Sequence, residues 1–276
     1  MKSATKYATK GATLSLALLL VLLPALAAAD GQEKKHILMI GASKDWAHDS
    51  VSHAMYTMEK IGEESGLFDV RFHTDVELLT KKKLGSNKKN LDHFDIIMFF
   101  CQGDLPLTDD QKADIMSFVR EDGKGVLAAH SGTDSFRDSW PEYVEMVGGA
   151  FDAHPWHQKV RVNVEDRDFP ATGHFPKSFE ITDEIYQLNR YSRDKVRVLM
   201  SLDVSSVDLK AKGVHRTDKD FAMTWARSWG KGRVFTSVLG HRPTVWDRPD
   251  IQKMWLEAAK WVLGLTEGDT TPVPQP

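Results

Sequence analysis

The stretch Gly125-Val126-Leu127-Ala128-Ala129-His130-Ser131-Gly132-Thr133-Asp134 indicates both a fold class and a candidate site. It is a short apolar run, typical of a buried parallel strand, that stops at a histidine and turns at a glycine. Ligands of open α/β sheets bind at the carboxyl ends of the strands. Such an elbow often carries a nucleophile, but an imidazole is better suited to metal ligation or proton transfer. We therefore predict that His130 is a metal ligand or a catalytic residue.

The segments around this strand predict an α/β fold. Apolar runs at His36–Gly41, Phe68–Phe72 and Asp95–Phe100 alternate with stretches of helical periodicity. Strands that alternate with helices imply a mostly parallel sheet flanked by helices. Three further strands are predicted in the second half of the chain, at Val160–Val164, Val196–Leu202 and Arg233–Leu239. No linker interrupts the pattern, so we predict a single domain over residues 30–265.

The two ends of the chain differ from this domain. Residues 1–29 contain three lysines, an apolar stretch and a final Ala27-Ala28-Ala29, which together are typical of a cleaved signal peptide. A membrane anchor is the weaker interpretation because the apolar stretch is short and contains Pro24. The protein is thus expected to be secreted or periplasmic, with no stable membrane insertion after cleavage. The tail, residues 266–276, is rich in Thr and Pro and is predicted to be disordered.

Charge and cysteine content exclude several classes of function. Loss of residues 1–29 removes three lysines and no acidic residue, so the formal net charge changes from -3 to -6. An acidic exported protein is not expected to bind nucleic acid. Cys101 is the only cysteine and follows an apolar run, which favours a buried, inert thiol over a catalytic one. The turn Gly230-Lys231-Gly232-Arg233 precedes a strand rather than a helix, so neither a phosphate site nor a nucleotide cofactor is predicted.

Histidines follow three of the predicted strands. His48 lies in the loop after the first strand, His130 ends the fourth, and His241 follows the last strand of the core. If these strands are parallel, the three side chains open on the same edge of the sheet and could hold a divalent metal, with zinc as the first expectation. His154 and His157 lie in one predicted loop, Phe151–Gln158, with a spacing that one metal could also use, although two histidines alone are a weak signal. For each histidine the alternative is a hydrogen-bonded structural role.

Carboxylates and aromatic residues complete the candidate site. Asp134 and Glu184 could transfer protons or orient a ligating imidazole, whereas helix capping is the simpler explanation for Asp134 and Asp183. The residues predicted to contact substrate are Trp156, His157, Gln158 and Tyr186. Tryptophans such as Trp156 can stack on a sugar ring, but they are more often part of the core.

Several short motifs, in this order along the chain, resemble the ThuA-like (trehalose utilisation) family. They are His48-Asp49-Ser50, Asp104 with Leu107-Thr108 and Gln111, Gly125 to Asp134, Trp140-Pro141-Glu142-Tyr143, His154-Pro155 with Gln158, Asp183-Glu184-Ile185-Tyr186, and Gly230 to Phe235 leading to Leu239-Gly240-His241. The resemblance covers roughly residues 35–265. It implies the flavodoxin-like fold of class I glutamine amidotransferases, with His130 where those enzymes have a cysteine, which argues against thiol amidotransfer. One departure is Ala222, which stands where family members commonly have a proline.

The resemblance also implies a role in the breakdown of trehalose-like glycosides or their 3-keto derivatives. We expect an exported enzyme in which a metal held by His48, His130 and His241 polarises a carbonyl or hydroxyl group, while Asp134 or Glu184 moves the proton. The sequence leaves open a hydrolase or a lyase-isomerase, and it is compatible with an oligomer. The alternative is a non-catalytic periplasmic carbohydrate-binding protein. Converging histidines and carboxylates would favour catalysis, and a shallow aromatic platform would favour binding.

Overall fold

The computed structural model describes Met1, residues 33–85 and residues 87–275. Residues from Lys34 onward cluster as one unit, which contains both helices and strands. Apart from Met1, the predicted signal peptide lies outside the described residues. Within the described ranges, no helix combines the length and the apolar character needed to cross a membrane.

One sheet of nine strands organises the described part of the chain. The strands are β1 (Lys35–Ile40), β2 (Phe68–His73), β3 (Ile96–Phe99), β4 (Gly125–Ala129), β5 (Ala150–Val164), β6 (Ser178–Asn189), β7 (Arg197–Leu202), β8 (Ala222–Trp229) and β9 (Gly232–Ser237). Their order across the sheet is β2-β1-β3-β4-β9-β8-β7-β5-β6.

The sheet is mixed, so the prediction of a mostly parallel sheet is imprecise. Strands β2, β1, β3, β4 and β9 run parallel, and every pairing from β9 through β8, β7 and β5 to β6 is antiparallel. The change occurs at the Gly230-Lys231 turn, where a φ of 62° at Gly230 lets the chain reverse tightly between β8 and β9. Strands β6 and β8 were not predicted from the sequence, and the first half of β5 was predicted to be a loop.

The parallel half is buried on both faces. In β1, Ile37 and Met39 belong to one apolar cluster, and Leu38 and Ile40 belong to a second cluster on the opposite face. Alternate residues of a strand point to opposite faces, so each cluster covers one side of the sheet. This explains why the strands are continuous apolar runs, as the sequence analysis assumed.

The helices cover these two faces. They are α1 (Ser50–Ser65), α2 (Asp109–Arg120), α3 (Pro141–Val147), α4 (Pro243–Trp246) and α5 (Pro249–Val262). Residues of α1, α4 and α5 belong to the first cluster, and residues of α2 and α3 to the second. Helix α2 begins with a capping box in which Thr108 and Gln111 satisfy each other's backbone N–H groups.

The tail has no helix or strand in its described part, residues 266–275. Arg233 donates hydrogen bonds to the carbonyl of Thr266 at 2.9 Å, and Arg197 donates to the carbonyl of Thr271 at 3.0 Å. These contacts hold the beginning of the tail against β7 and β9. The predicted disorder of residues 266–276 stays a prediction.

Candidate functional site

Three histidines from separate loops meet at the carboxyl edge of the parallel strands. His48 follows β1, His130 follows β4 and His241 follows β9, and these strands are parallel. The ring centroids are 5.0 Å apart for His48 and His130, 5.2 Å for His48 and His241, and 5.3 Å for His130 and His241. The structure thus brings together the residues predicted as metal ligands, while their role as ligands stays a prediction.

The backbone at the elbow aims His130 at this edge. His130 has a φ of 41°, in the left-handed region that residues with a side chain rarely adopt and that recurs at functional sites. A Cβ atom at Gly132 would lie 2.6 Å from the carbonyl oxygen of Phe99, so glycine is required for the turn. Nδ1 of His130 donates to the carbonyl of Val238 at 2.7 Å. Because a carbonyl only accepts, the proton of the neutral ring lies on Nδ1, and in that form Nε2 carries the lone pair that a metal ligand needs.

Glu184, on β6, lies between two groups of histidines. Its Oε2 atom is 3.2 Å from Nε2 of His130 and 3.0 Å from Nδ1 of His241. Its Oε1 atom is 2.5 Å from Nε2 of His157 and 3.5 Å from Nδ1 of His154. Burial alone would raise the pKa of Glu184, but the hydrogen bonds and positive charge that His130 and His241 supply when their rings are protonated outweigh burial and lower that pKa. Glu184 is therefore ionised at neutral pH.

The contact between Glu184 and His130 also reveals the shape of the sheet. Four strands separate β4 from β6 in the sheet order, yet the two side chains touch. The antiparallel half must therefore curl back over the carboxyl edge of the parallel half. This curvature exceeds what a short sequence pattern can predict, because it accumulates over several strand pairs.

His48 provides a nitrogen that lacks a partner. Its Nδ1 atom is buried and has no hydrogen-bond partner in the described part of the chain. Burial, followed by the charges of His130 and His241, lowers the pKa of His48 to about 3. The ring is therefore neutral at pH 7. An imidazole nitrogen without a hydrogen-bond partner, beside an ionised carboxylate, is an atom that could bind a cation through its lone pair.

Asp183 positions the loop that carries His241. It is fully buried and accepts hydrogen bonds from the backbone N–H groups of Gly240, at 2.7 Å, and Arg242, at 3.1 Å. Burial raises the pKa of Asp183. The hydrogen bond from His241 to Glu184 raises the pKa of His241. Asp183 is thus a positioning residue, and helix capping does not explain it.

An irregularity in β5 places two more histidines beside Glu184. Residues three apart on a regular strand face opposite sides of the sheet. The register against β6 shifts between Ala153 and Trp156, which brings His154 and His157 to the same side. Their ring nitrogens, Nδ1 of His154 and Nε2 of His157, are 3.3 Å apart. From the sequence, this pair was noted as a possible metal site because of its spacing, in a segment that was predicted to be a loop.

Two residues predicted to contact substrate lie away from this cluster. Trp156 is 2% exposed, packs against Phe221 and donates its indole N–H to the carbonyl of Asp208. Gln158 donates to the carbonyl of Ser206. Both residues flank His157 in β5 and so point to the other side of the strand. Trp156 is a core tryptophan, which was the alternative considered from the sequence.

A cavity of about 400 Å³ opens above the histidines. Its lining contains the predicted residues His48, Asp134, His157, Glu184, Tyr186 and His241, together with His154, Trp46 and Phe151. Trp46 and Phe151 were not predicted as site residues. Trp46 is 66% exposed. Its position in the loop after β1 could have indicated a site residue, because functional residues concentrate in such loops.

Gln102 connects Asp134 to the loop of Trp46. The Gln102 amide donates to Oδ2 of Asp134 at 3.0 Å, and its oxygen accepts from the backbone N–H groups of Asp45 and Trp46. Burial raises the pKa of Asp134, although Gln102 and Arg137 partly offset that effect. A carboxyl group with a raised pKa at the wall of a cavity is suited to proton transfer.

Tyr186 lies against His130 at the floor of the cavity. The two ring centroids are 4.3 Å apart. Burial and the nearby carboxylates raise the pKa of Tyr186, so its hydroxyl group is neutral and can donate a hydrogen bond.

Cys101 is fully buried, and burial raises the pKa of its thiol to about 12. Cys101 therefore cannot act as a thiolate nucleophile at neutral pH.

The donor atoms suit a divalent cation. His48, His130, Glu184 and His241 form one candidate set, and His154, His157 and Glu184 form a second. Within each set, the atoms lie within 4.8 Å of one another. Neutral imidazoles with a carboxylate are typical ligands of zinc, and they also suit other transition metals. The buried, unpartnered Nδ1 atom of His48 is the observation that best fits such an ion.

Solved structures share the fold of this chain. A ThuA-like protein from Bacteroides uniformis ATCC 8492 superimposes with a TM-score of 0.67 at 23% identity, covering 85% of this chain and 94% of that protein. A ThuA-like protein from Parabacteroides merdae ATCC 43184 superimposes with a TM-score of 0.63 at 17% identity, covering 84% of this chain and 90% of that protein. No curated protein matches the chain.

The sequence itself matches a family over most of its length. The model of the ThuA family, described as trehalose utilisation, matches residues 36–262. This range includes both candidate ligand sets and, apart from Lys35 at the start of β1, every strand and helix of the described chain. The protein therefore belongs to the ThuA family.

Proposed function

We propose that this protein is an enzyme that breaks down a trehalose-like glycoside or its 3-keto derivative with the help of a divalent cation. The observation that carries the proposal is the convergence of three imidazoles and one ionised carboxylate. Of these, His48, His241 and Glu184 line a cavity large enough for a small ligand, and His130 is buried beside them. The family description supports a sugar substrate. Zinc is the first candidate, and no nucleotide cofactor is proposed.

The cation would be held by His48, His130, His241 and Glu184. When bound, it would supply Lewis acidity to a sugar carbonyl or hydroxyl oxygen. Glu184 contributes the negative charge and, because its pKa is lowered, it is better suited to ligation than to the proton transfer predicted from the sequence. His130 is held in the required tautomer by Val238, and the loop of His241 is held by Asp183.

Asp134 is the proposed proton-transfer residue. It lines the cavity, it is 8% exposed, and burial raises its pKa, which makes the carboxyl group a better proton carrier than an exposed aspartate. Gln102 holds one of its oxygens, which fixes its orientation. Tyr186 would donate a hydrogen bond to a sugar oxygen, and Trp46 would cover an apolar face of the ring.

A purely carbohydrate-binding role is the second candidate. Trp46 at the cavity opening supports it, because an exposed tryptophan is a ready surface for a sugar ring. The buried carboxylates and imidazoles favour the enzyme. We further propose that the protein is exported, on the basis of residues 1–29 of the sequence alone.

The test combines metal analysis with turnover. The purified protein is stripped with a chelator, assayed against trehalose and 3-keto-trehalose, and assayed again after addition of Zn²⁺ or Mn²⁺. We expect chelation to abolish turnover and one of the ions to restore it. His130→Ala should remove the response, and His36→Ala is the matched control, since His36 lies at the opposite edge of the sheet. Turnover that survives chelation would contradict the metal role, and sugar binding without turnover would favour the binding protein.

A further inference from the structure

We propose that His154 and His157 hold a second divalent cation, so that the carboxylate of Glu184 bridges two ions. This inference rests on the proposed function and extends it from one cation to two. It concerns residues that a single-ion site leaves without a defined role. It assigns His157 to metal binding rather than to direct contact with substrate.

The distances in the two groups are alike. With metal–nitrogen bonds of about 2.0–2.1 Å, two ligands of one tetrahedral ion lie roughly 3.3 Å apart. In the first group, the three contacts among His130, His241 and Oε2 of Glu184 are 3.3, 3.2 and 3.0 Å. In the second, the contacts among His154, His157 and Oε1 of Glu184 are 3.3, 3.5 and 2.5 Å. Five of these six contacts are close to the edge of a coordination tetrahedron, and the 2.5 Å contact between His157 and Glu184 would have to lengthen when an ion binds.

Hydrogen bonding alone does not satisfy the second trio. Nε2 of His157 carries at most one proton, which can point to Glu184 or to Nδ1 of His154, but not to both. A cation accepts the lone pairs of both nitrogens and of the carboxylate oxygen at once. The register shift in β5 that turns His154 and His157 to the same side would thereby have a function.

The two groups differ in their access to solvent. The side chains of His154 and His157 are 51% and 41% exposed, whereas that of His130 is fully buried. The second ion would therefore lie on the open side of the cavity, with three protein ligands and free positions for water or substrate. Three protein ligands with an open position are typical of catalytic metal sites. Two neighbouring ions would select a sugar that presents two adjacent oxygen atoms, as an α-hydroxyketone does.

Metal stoichiometry tests the inference. The full-length protein is stripped, titrated with Co²⁺, dialysed, and analysed for metal per chain. We expect two ions in the wild type and one in His154→Ala/His157→Ala. The matched control is His36→Ala/His93→Ala, which removes a stacked pair of imidazoles at the opposite edge of the sheet and should keep both ions. Circular dichroism verifies that each variant is folded.

The outcomes separate this inference from the proposed function. One ion in both the wild type and the His154→Ala/His157→Ala variant would overturn the second site and leave the first intact. Two ions in both proteins would place the second ion elsewhere and would also overturn it. No ion in the wild type would overturn the metal-assisted function together with the inference.

The magnetic properties of the Co²⁺-loaded protein give an independent measurement. A shared carboxylate couples the two ions, so the electron paramagnetic resonance signal per cobalt should decrease when the second equivalent binds. The His154→Ala/His157→Ala variant should show the uncoupled signal of one ion. Two uncoupled ions in the wild type would contradict the bridge through Glu184.

Discussion

Replacing Asp183 with alanine should both destabilise the protein and weaken cation binding, although it removes no proposed ligand. Asp183 is buried, and its two oxygens accept hydrogen bonds from the backbone N–H groups of Gly240 and Arg242. Those groups lie on either side of His241. The substitution therefore releases the loop that directs His241 towards Glu184.

The size of the effect follows from these two hydrogen bonds. The N–H group of Gly240 is buried, and leaving such a donor unsatisfied costs about 1–3 kcal/mol. The N–H group of Arg242 is closer to solvent and can bind water instead, so its loss costs about 1 kcal/mol. Release of the buried charge, whose pKa is raised, offsets a small part of this cost. We expect a net destabilisation of about 2–3 kcal/mol.

Urea denaturation of the stripped protein measures this stability, and Co²⁺ titration of the folded variant measures affinity. Loss of an outer residue that orients a ligand typically weakens metal binding by about 10- to 100-fold. Asp183→Asn is the matched control, because it keeps one acceptor for Gly240 and should lose about half as much stability. If Asp183→Ala unfolds within about 0.5 kcal/mol of the wild type and binds Co²⁺ equally well, Asp183 does not position His241.

Three further changes test other parts of the structure. Trp46→Ala should weaken sugar binding by about 0.5–1.5 kcal/mol while metal content stays unchanged, as calorimetry and elemental analysis can show. Arg193→Leu should destabilise the fold by about 3–5 kcal/mol in urea denaturation, since it leaves the buried carboxylate of Asp220 and the partly buried carboxylate of Glu165 unpaired. The pKa of His48 falls from 6.5 in the unfolded chain to about 3, so the unfolded chain gains a proton that the folded chain does not. Stability of the stripped protein should therefore decrease as the pH falls from 6.5 towards 3, and His48→Phe should reduce that decrease.

The parallel half of the fold could be predicted because its signals are local. The strands ending at Ile40, Phe99 and Ala129 are apolar runs buried on both faces, which periodicity identifies directly. The antiparallel half gave weaker signals. Strand β6 contains Asp183 and Glu184, whose burial depends on partners far away in the chain. These polar residues are tolerated in a buried strand because of such partners. The partners lie too far along the chain to be identified from the local sequence of the strand.

The candidate site could be predicted to a similar extent. His48, His130 and His241 were found because each follows a strand of the parallel sheet. The central position of Glu184 depends on the curl of the sheet, which brings β6 to the end of β4. The burial of Trp156 in the core depends on the side of β5 to which its side chain points, and the register shift beside it decides that direction.

The hydrogen bond from His130 to Val238 joins residues that are 108 positions apart in the chain. A contact of such separation closes a long loop, and because that closure costs entropy before the contact stabilises the fold, we expect the cluster to form late on the folding pathway. Interactions absent from the transition state alter the unfolding rate and leave the refolding rate nearly unchanged. A cation bound at this cluster would therefore slow unfolding and leave the folding rate nearly unchanged, so it would increase the kinetic stability of the protein.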